Sequence, residues 1–285
     1  MTVAMIGVGV DNTNSDPYPT VYENGTFEYI PIPEAHDSTE TKTYASLARH
    51  PQGGRLVEVT EGDERLADAL DEIQPSPDEK IRTGAELEQH PLHYDPNFSA
   101  LTYGEVKANN RNQLLHLNAA EDDVVAFYTG LTDPASNTPH RYIIGYFTVN
   151  ELIDFTTPLP EDPPLNDDDR VPISELSDDI RREVEESLAA NPANAHVKRY
   201  KESQTIDPNL LIVDGTTSGG LLESAYPISQ TVPGGHAFTK DAENQLSVQT
   251  TASHRETGFL GGFKKPHRFD LTGNEFISII SSTGR

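Results

Sequence analysis

The chain has 285 residues, a formal charge of -25, with 46 acidic residues against 21 Lys and Arg, and no cysteine. The lack of cysteine excludes disulfides, thiolate chemistry and any Cys-ligated zinc or iron–sulfur centre. Only 35% of the residues are hydrophobic and no apolar run approaches the roughly 20 residues of a membrane span, so no membrane partner is expected and the chain reads as soluble and cytoplasmic.

Met1 is followed by no basic region and no long apolar core, so no signal peptide is expected. Residues 2–10, TVAMIGVGV, form an apolar β-rich run ending at Asp11-Asn12-Thr13-Asn14, which predicts a buried strand with a polar loop at its carboxyl end. Residues 25–34 are extended, confined by Pro31 and Pro33 to an edge or an irregular course. Residues 55–60 read as a third strand. Residues 63–73 read as a helix, with Leu66, Leu70 and Ile73 at helical spacing and Pro75 beyond. Residues 90–105 show no period and read as a structured loop; residues 111–117 suggest a short helix.

The strongest β signals are residues 122–131 and 140–155, joined by the turn-forming TDPASNTP and read as a long antiparallel hairpin. Strict alternation would put Ile143, Gly145, Phe147 and Val149 on one face of its second strand, and Tyr142, Ile144, Tyr146 and Thr148 on the other. Residues 156–172 are rich in Pro and Asp and form an exposed loop or a domain seam within one domain spanning 1–285. Residues 177–190 are the clearest helix, its stripe of Ile180, Val184 and Leu188 ending before Pro192. A buried strand at 209–213 leads into a Gly/Thr/Ser loop and an expected helix start at Gly219-Gly220, and residues 272–280 suggest a last helix. Strands outnumber long helices without alternating regularly with them, so the fold class is α+β, with a mixed or mainly antiparallel sheet and peripheral helices.

The dispersed acids and scarce lysines suggest a halophilic protein. At molar salt the Debye length is about 3 Å, so net charge there says little about partners. Local contrast says more. In residues 251–269, Arg255, Lys264, Lys265 and Arg268 face one acid, Glu256, among several glycines. Such a stretch suits a phosphate, or else pairs with the surrounding acids. Ser218, Gly219 and Gly220, at the expected helix start, are candidates for cradling a phosphate. His90, His93 and Asp95 lie in HPLHYDP, where His93 and Asp95 could form an oriented general base. Two imidazoles and a carboxylate could also bind a metal, but a one-loop site needs further ligands from elsewhere, and no metal centre is expected. Asp11 and its neighbours Asn12 and Asn14, just past a buried strand, are a third candidate. Phe127, Tyr128, Tyr142, Tyr146 and Phe147 could stack a base, though alternating strand aromatics more often build a core. No nucleophile motif is present.

In their order along the chain, GVDNTNSDP with FEYIPIPE, HYDPNFSALTYGE, DDVVAFYTGL with RYIIGYF, and LLIVDGTTSGGLLESAYPIS resemble the nucleotide modification associated domain family, third clade. The positions carrying the resemblance are Asp11, Glu28, Tyr29, His93, Asp95, Tyr103, Gly104, Tyr128, Arg141, Ser218 and Arg255. The hairpin is also similar, over a short stretch, to PUA/EVE-type barrels, although Glu121-Asp122-Asp123 replaces the usual Gly-Asp lead-in. The resemblance implies a role near base or nucleotide modification, a nucleotide or nucleic acid as partner, and no particular reaction or cofactor. On this reading His93, Asp95 and Asp11 carry chemistry, Ser218, Gly219, Gly220, Arg255, Lys264 and Arg268 hold phosphate, and Tyr103, Tyr128 and Arg141 contact the base. The alternatives are a non-catalytic reader of modified bases and a halophilic assembly protein docking an acidic partner.

Overall fold

Two long strands, Val124–Asp133 and Thr138–Asp154, pair antiparallel as the central hairpin of the computed structural model. The structure describes residues 2–11, 13–76, 79–249, 259–261 and 265–282. Asn12, Arg255 and Lys264 lie outside them, as does most of the basic stretch.

Val3–Gly7 runs parallel to the first hairpin strand and is flanked on its other edge by His267–Phe269 and then Val248–Gln249. The second hairpin strand, 17 residues long, is long enough to take two partners on its far edge. Gly220–Pro227 lies along its first half and Leu211–Gly215 along its second, with Thr102–Glu105 beyond. The result is an eight-stranded, mainly antiparallel sheet in an α+β fold. No closed barrel is present among the described residues, which corrects the PUA-like option. The sheet's path ends in the short strands Val248–Gln249 and Thr102–Glu105, which do not pair with each other. No helix among the described residues is long and apolar enough to cross a membrane.

The expected alternation on the long strand fails at one place. Phe127 pairs with Gly145 and Tyr128 with Ile143, so Ile144 is an extra residue in a β-bulge. The bulge moves Ile143 to the face it shares with Tyr226, Phe238, Phe269 and Phe276, while Ile144 joins Phe147, Phe127, Phe98 and Tyr29 on the opposite face. A third cluster, with Phe155, Val171, Val184, Leu188 and Ile212, packs helix Asp178–Ala190 against residues of the 156–172 region.

Three local expectations are corrected. Residues 55–60 are not a strand: of them only Leu56 is buried, and the segment makes only isolated bridges, such as Leu47 with Glu58. Residues 63–73 hold a single 3-10 turn, Leu66–Ala69, after which Leu70 is extended and Glu72–Ile73 pairs with Ser15–Asp16. The segment after Gly219 is a strand, not a helix. It runs so close to the long strand that a Cβ on Gly219 would stand 2.5 Å from the carbonyl oxygen of Tyr146. The helix start that was to cradle a phosphate is therefore absent, and Ser218 instead bonds Thr216 and Thr148 through its hydroxyl. Conversely, helix Ala195–Ser203, capped by the Asn194 side chain on the amide of His196, begins three residues after Pro192, where the sequence reads as a stop.

Candidate functional site

His93, Asp95 and His196 meet in the interior, all three residues less than a tenth exposed. The prolines around His93 favour an extended course, and the 90–97 loop pairs with the extended 31–34 segment. His93 donates its amide to Ile32, and Glu34 donates its own to Pro91. That pairing sets Glu34 beside His93. Strand Thr102–Glu105 holds Asp95, whose two carboxylate oxygens both accept the Gly104 amide at 3.0 Å. Helix Ala195–Ser203 is tied to the same loop: Asn97 donates its side-chain amide to the carbonyl of Ala193, and Asn194 donates to the hydroxyl of Thr102. The first turn of that helix thereby delivers His196.

Each imidazole is oriented by its own carboxylate. His93 Nδ1 lies 3.0 Å from Glu34 Oε2, and His196 Nδ1 lies 3.0 Å from Asp207 Oδ2. Arg199, one turn after His196, donates its Nε to Glu34 at 2.7 Å, and Arg170 lies 3.6 Å from Asp207. Glu34 is ionised: although burial opposes it, the hydrogen bond from His93 and the charge of Arg199 pull its pKa down to about 2. Asp207 is likewise held low, burial being outweighed by His196, Arg170 and Arg199. An ionised carboxylate only accepts, so both Nδ1 atoms carry a proton, and Nε2 of a neutral imidazole so oriented presents a lone pair. Burial, then Arg199, lowers His93 to about 4, so it is neutral at pH 7. The two Nε2 atoms face the same oxygen, Asp95 Oδ2, at 3.8 and 3.6 Å. Burial, more than any other cause, drives the Asp95 pKa far up, against the bond from Gly104. The Tyr29 hydroxyl, fully buried and within the field of Asp95, has no hydrogen-bond partner among the described residues.

The remaining sequence candidates fall elsewhere or outside the described residues. Tyr103 neighbours the centre through its strand but donates its hydroxyl to Glu105 at 2.5 Å. Asp11 makes a buried ion pair with Arg141 at 2.7 Å and accepts from Thr13. Tyr128 lies within the field of that pair and donates to the carbonyl of Lys265. Arg268 sits on a half-buried strand position opposite Ala4. The structure thus brings His93 and Asp95 together in one cluster and Asp11, Tyr128 and Arg141 in another. Phe127, Phe147 and Tyr128 are core; Tyr142 and Tyr146 are half-buried. His90 turns away to the carbonyl of Glu34.

Glu34, His196, Arg199 and Asp207 are members of this cluster that the sequence reading missed. Glu34 ends the EYIPIPE stretch. Asn194 with the His196/Arg199 pair at i and i+3 is a capping signal and a one-face signal that could have found the second half of the site.

A family model, nucleotide modification associated domain 3, matches residues 2–278. No curated protein and no solved structure matches the chain.

Proposed function

The chain belongs to the nucleotide modification associated domain 3 family, and on that premise we propose that it acts on a nucleotide or nucleic-acid base at the His93–Asp95–His196 centre. The family's description ties it to nucleotide modification. The observation that carries the reading is the pair of imidazoles, each held in one tautomer by its own carboxylate, with both Nε2 atoms facing Asp95. A carboxylate–imidazole pair is a general base; two of them sharing one aspartate can take a proton from water or from an exocyclic group and return it to a leaving atom. The unpartnered Tyr29 hydroxyl is a hydrogen-bond donor for the reacting group. Arg268, with Arg255 and Lys264 of the basic stretch, would carry phosphate contacts. A reader would instead need an aromatic cage, whereas Phe127, Phe147 and Tyr128 are committed to the two sheet faces.

The test is incubation of the protein in molar KCl with a panel of nucleoside phosphates and digested genomic nucleotides, followed by mass spectrometry of bound and altered species. Turnover of at least one nucleotide is expected, reduced 100-fold or more in His93→Gln, the scale of losing a general base. Absence of binding and turnover across the panel refutes the assignment.

A further inference from the structure

We propose that His93, His196 and Asp95 hold a single divalent ion of the zinc, iron(II) or cobalt(II) kind, bound through the two Nε2 atoms and the Asp95 carboxylate. This rests on the same centre as the function proposed above; with the ion bound, both Nε2 lone pairs are ligands, so the proton would be taken by water at the ion's open position instead of by the imidazoles themselves.

The argument is one of unmet donors. Both Nδ1–H groups are spent on Glu34 and Asp207. The two Nε2 atoms therefore face the Asp95 carboxyl, and at 3.6 and 3.8 Å neither separation is a hydrogen bond; a cation that displaces the carboxyl proton adds its oxygen as a third lone pair. Three converging lone pairs in the interior are stable around a cation. The ligand atoms all lie within 4.8 Å of one another. Two atoms each roughly 2.1 Å from an ion at a tetrahedral angle would be about 3.4 Å apart, so the two N–O distances need contract by only a few tenths of an ångström, with the two imidazoles drawing together as well. The two imidazole rings stand at 84° with centroids 5.3 Å apart.

The surroundings are those of a metal centre. Ligating imidazoles donate their other N–H to a carboxylate, which fixes the ring and raises its basicity; here both do so, and Arg199 and Arg170 steady the two carboxylates in turn. Two nitrogens and one oxygen favour a borderline ion over Mg2+ or Ca2+, which prefer oxygen cages. Three protein ligands leave at least one coordination position for water or substrate. The Tyr29 hydroxyl, buried within the field of Asp95, is a further polar atom without a partner among the described residues.

The experiment uses the full chain, stripped with EDTA and dialysed into molar KCl, titrated without any nucleotide with Co2+, Zn2+, Mg2+ and Ca2+. Co2+ is followed by its visible d–d bands and the others by calorimetry. One equivalent of Co2+, displaced by Zn2+, is expected, with the bands lost in His93→Ala and His196→Ala. Should either alanine variant fail to fold, Asp207→Asn decides: affinity should fall roughly 10- to 100-fold, the usual effect of losing an orienting carboxylate. No stoichiometric Co2+ or Zn2+ binding by the folded protein, binding of Mg2+ or Ca2+ alone, or unchanged affinity in Asp207→Asn overturns the proposal. Metal binding without any effect on nucleotides would instead count against the proposed function and leave the metal site standing.

Discussion

Gly104 leaves room for His196. A Cβ at position 104 would stand 2.4 Å from Cδ2 of that imidazole, and 3.2 Å from Oδ1 of the capping Asn194. The same glycine supplies the amide that binds both oxygens of Asp95, so one residue without a side chain sets the spacing of the whole centre. Gly104→Ala should push the ring outward and cost about 1–3 kcal/mol, as overpacking does. Thermal unfolding measures the stability loss, and the Co2+ titration should weaken in parallel. A variant with wild-type metal affinity would show that His196 has slack.

The second polar cluster is a buried clamp between the loop after the first strand and the central hairpin. Asp11 and Arg141, each 2% exposed, pair at 2.7 Å. Removing one partner strands the other charge, at a cost of about 3–5 kcal/mol. Asp11→Asn and Arg141→Met should each unfold at markedly lower denaturant, while the double variant should lose less than the sum of the two. Strict additivity in this double-mutant cycle would mean that the pair is not coupled.

His236 lies beside this clamp. Burial, then the charges of Arg141 and His140, lowers its pKa to about 4, with Asp11 pulling the other way. A histidine neutral in the fold but with an ordinary pKa near 6.5 when unfolded takes up a proton on unfolding below that pH. Its contribution is therefore whole above pH 6.5 and diminishes as the pH falls towards 4. Between pH 7 and 4.5 the melting temperature of His236→Gln should drop less than that of the wild type; equal drops would remove His236 as a source of the acid sensitivity.

A formal charge of -25 on 285 residues also bears on stability. The acids repel one another in the folded state, and at 1 M salt screening shortens their reach to about 3 Å. The unfolding midpoint should climb steeply between 0.1 and 2 M KCl. Replacing KCl by the same ionic strength of NaCl should give nearly the same curve if screening is the cause, and a flat response to either salt would contradict the halophilic reading.

What the sequence determined on its own is the part governed by neighbours along the chain. The alternating apolar runs around Phe127 and Phe147 suffice for the hairpin, Thr272 and Glu275 for the capped last helix, and the two prolines of HPLHYDP for a rigid loop presenting His93 and Asp95. The β-bulge at Ile144 was hidden because both faces of that strand are apolar, so a slip of one residue leaves no mark in the pattern. The strand after Gly219 was hidden because glycine signals a turn locally, whereas here it admits the backbone of Tyr146. The centre itself was settled by tertiary pairing. Glu34, His196 and Asp207 are far from His93 in the chain, and they meet it only because the 31–34 segment pairs with the 90–97 loop and Asn194 anchors its helix to Thr102. Those are contacts between distant backbones, whose free energy depends on the closed fold and which local residue preferences do not encode.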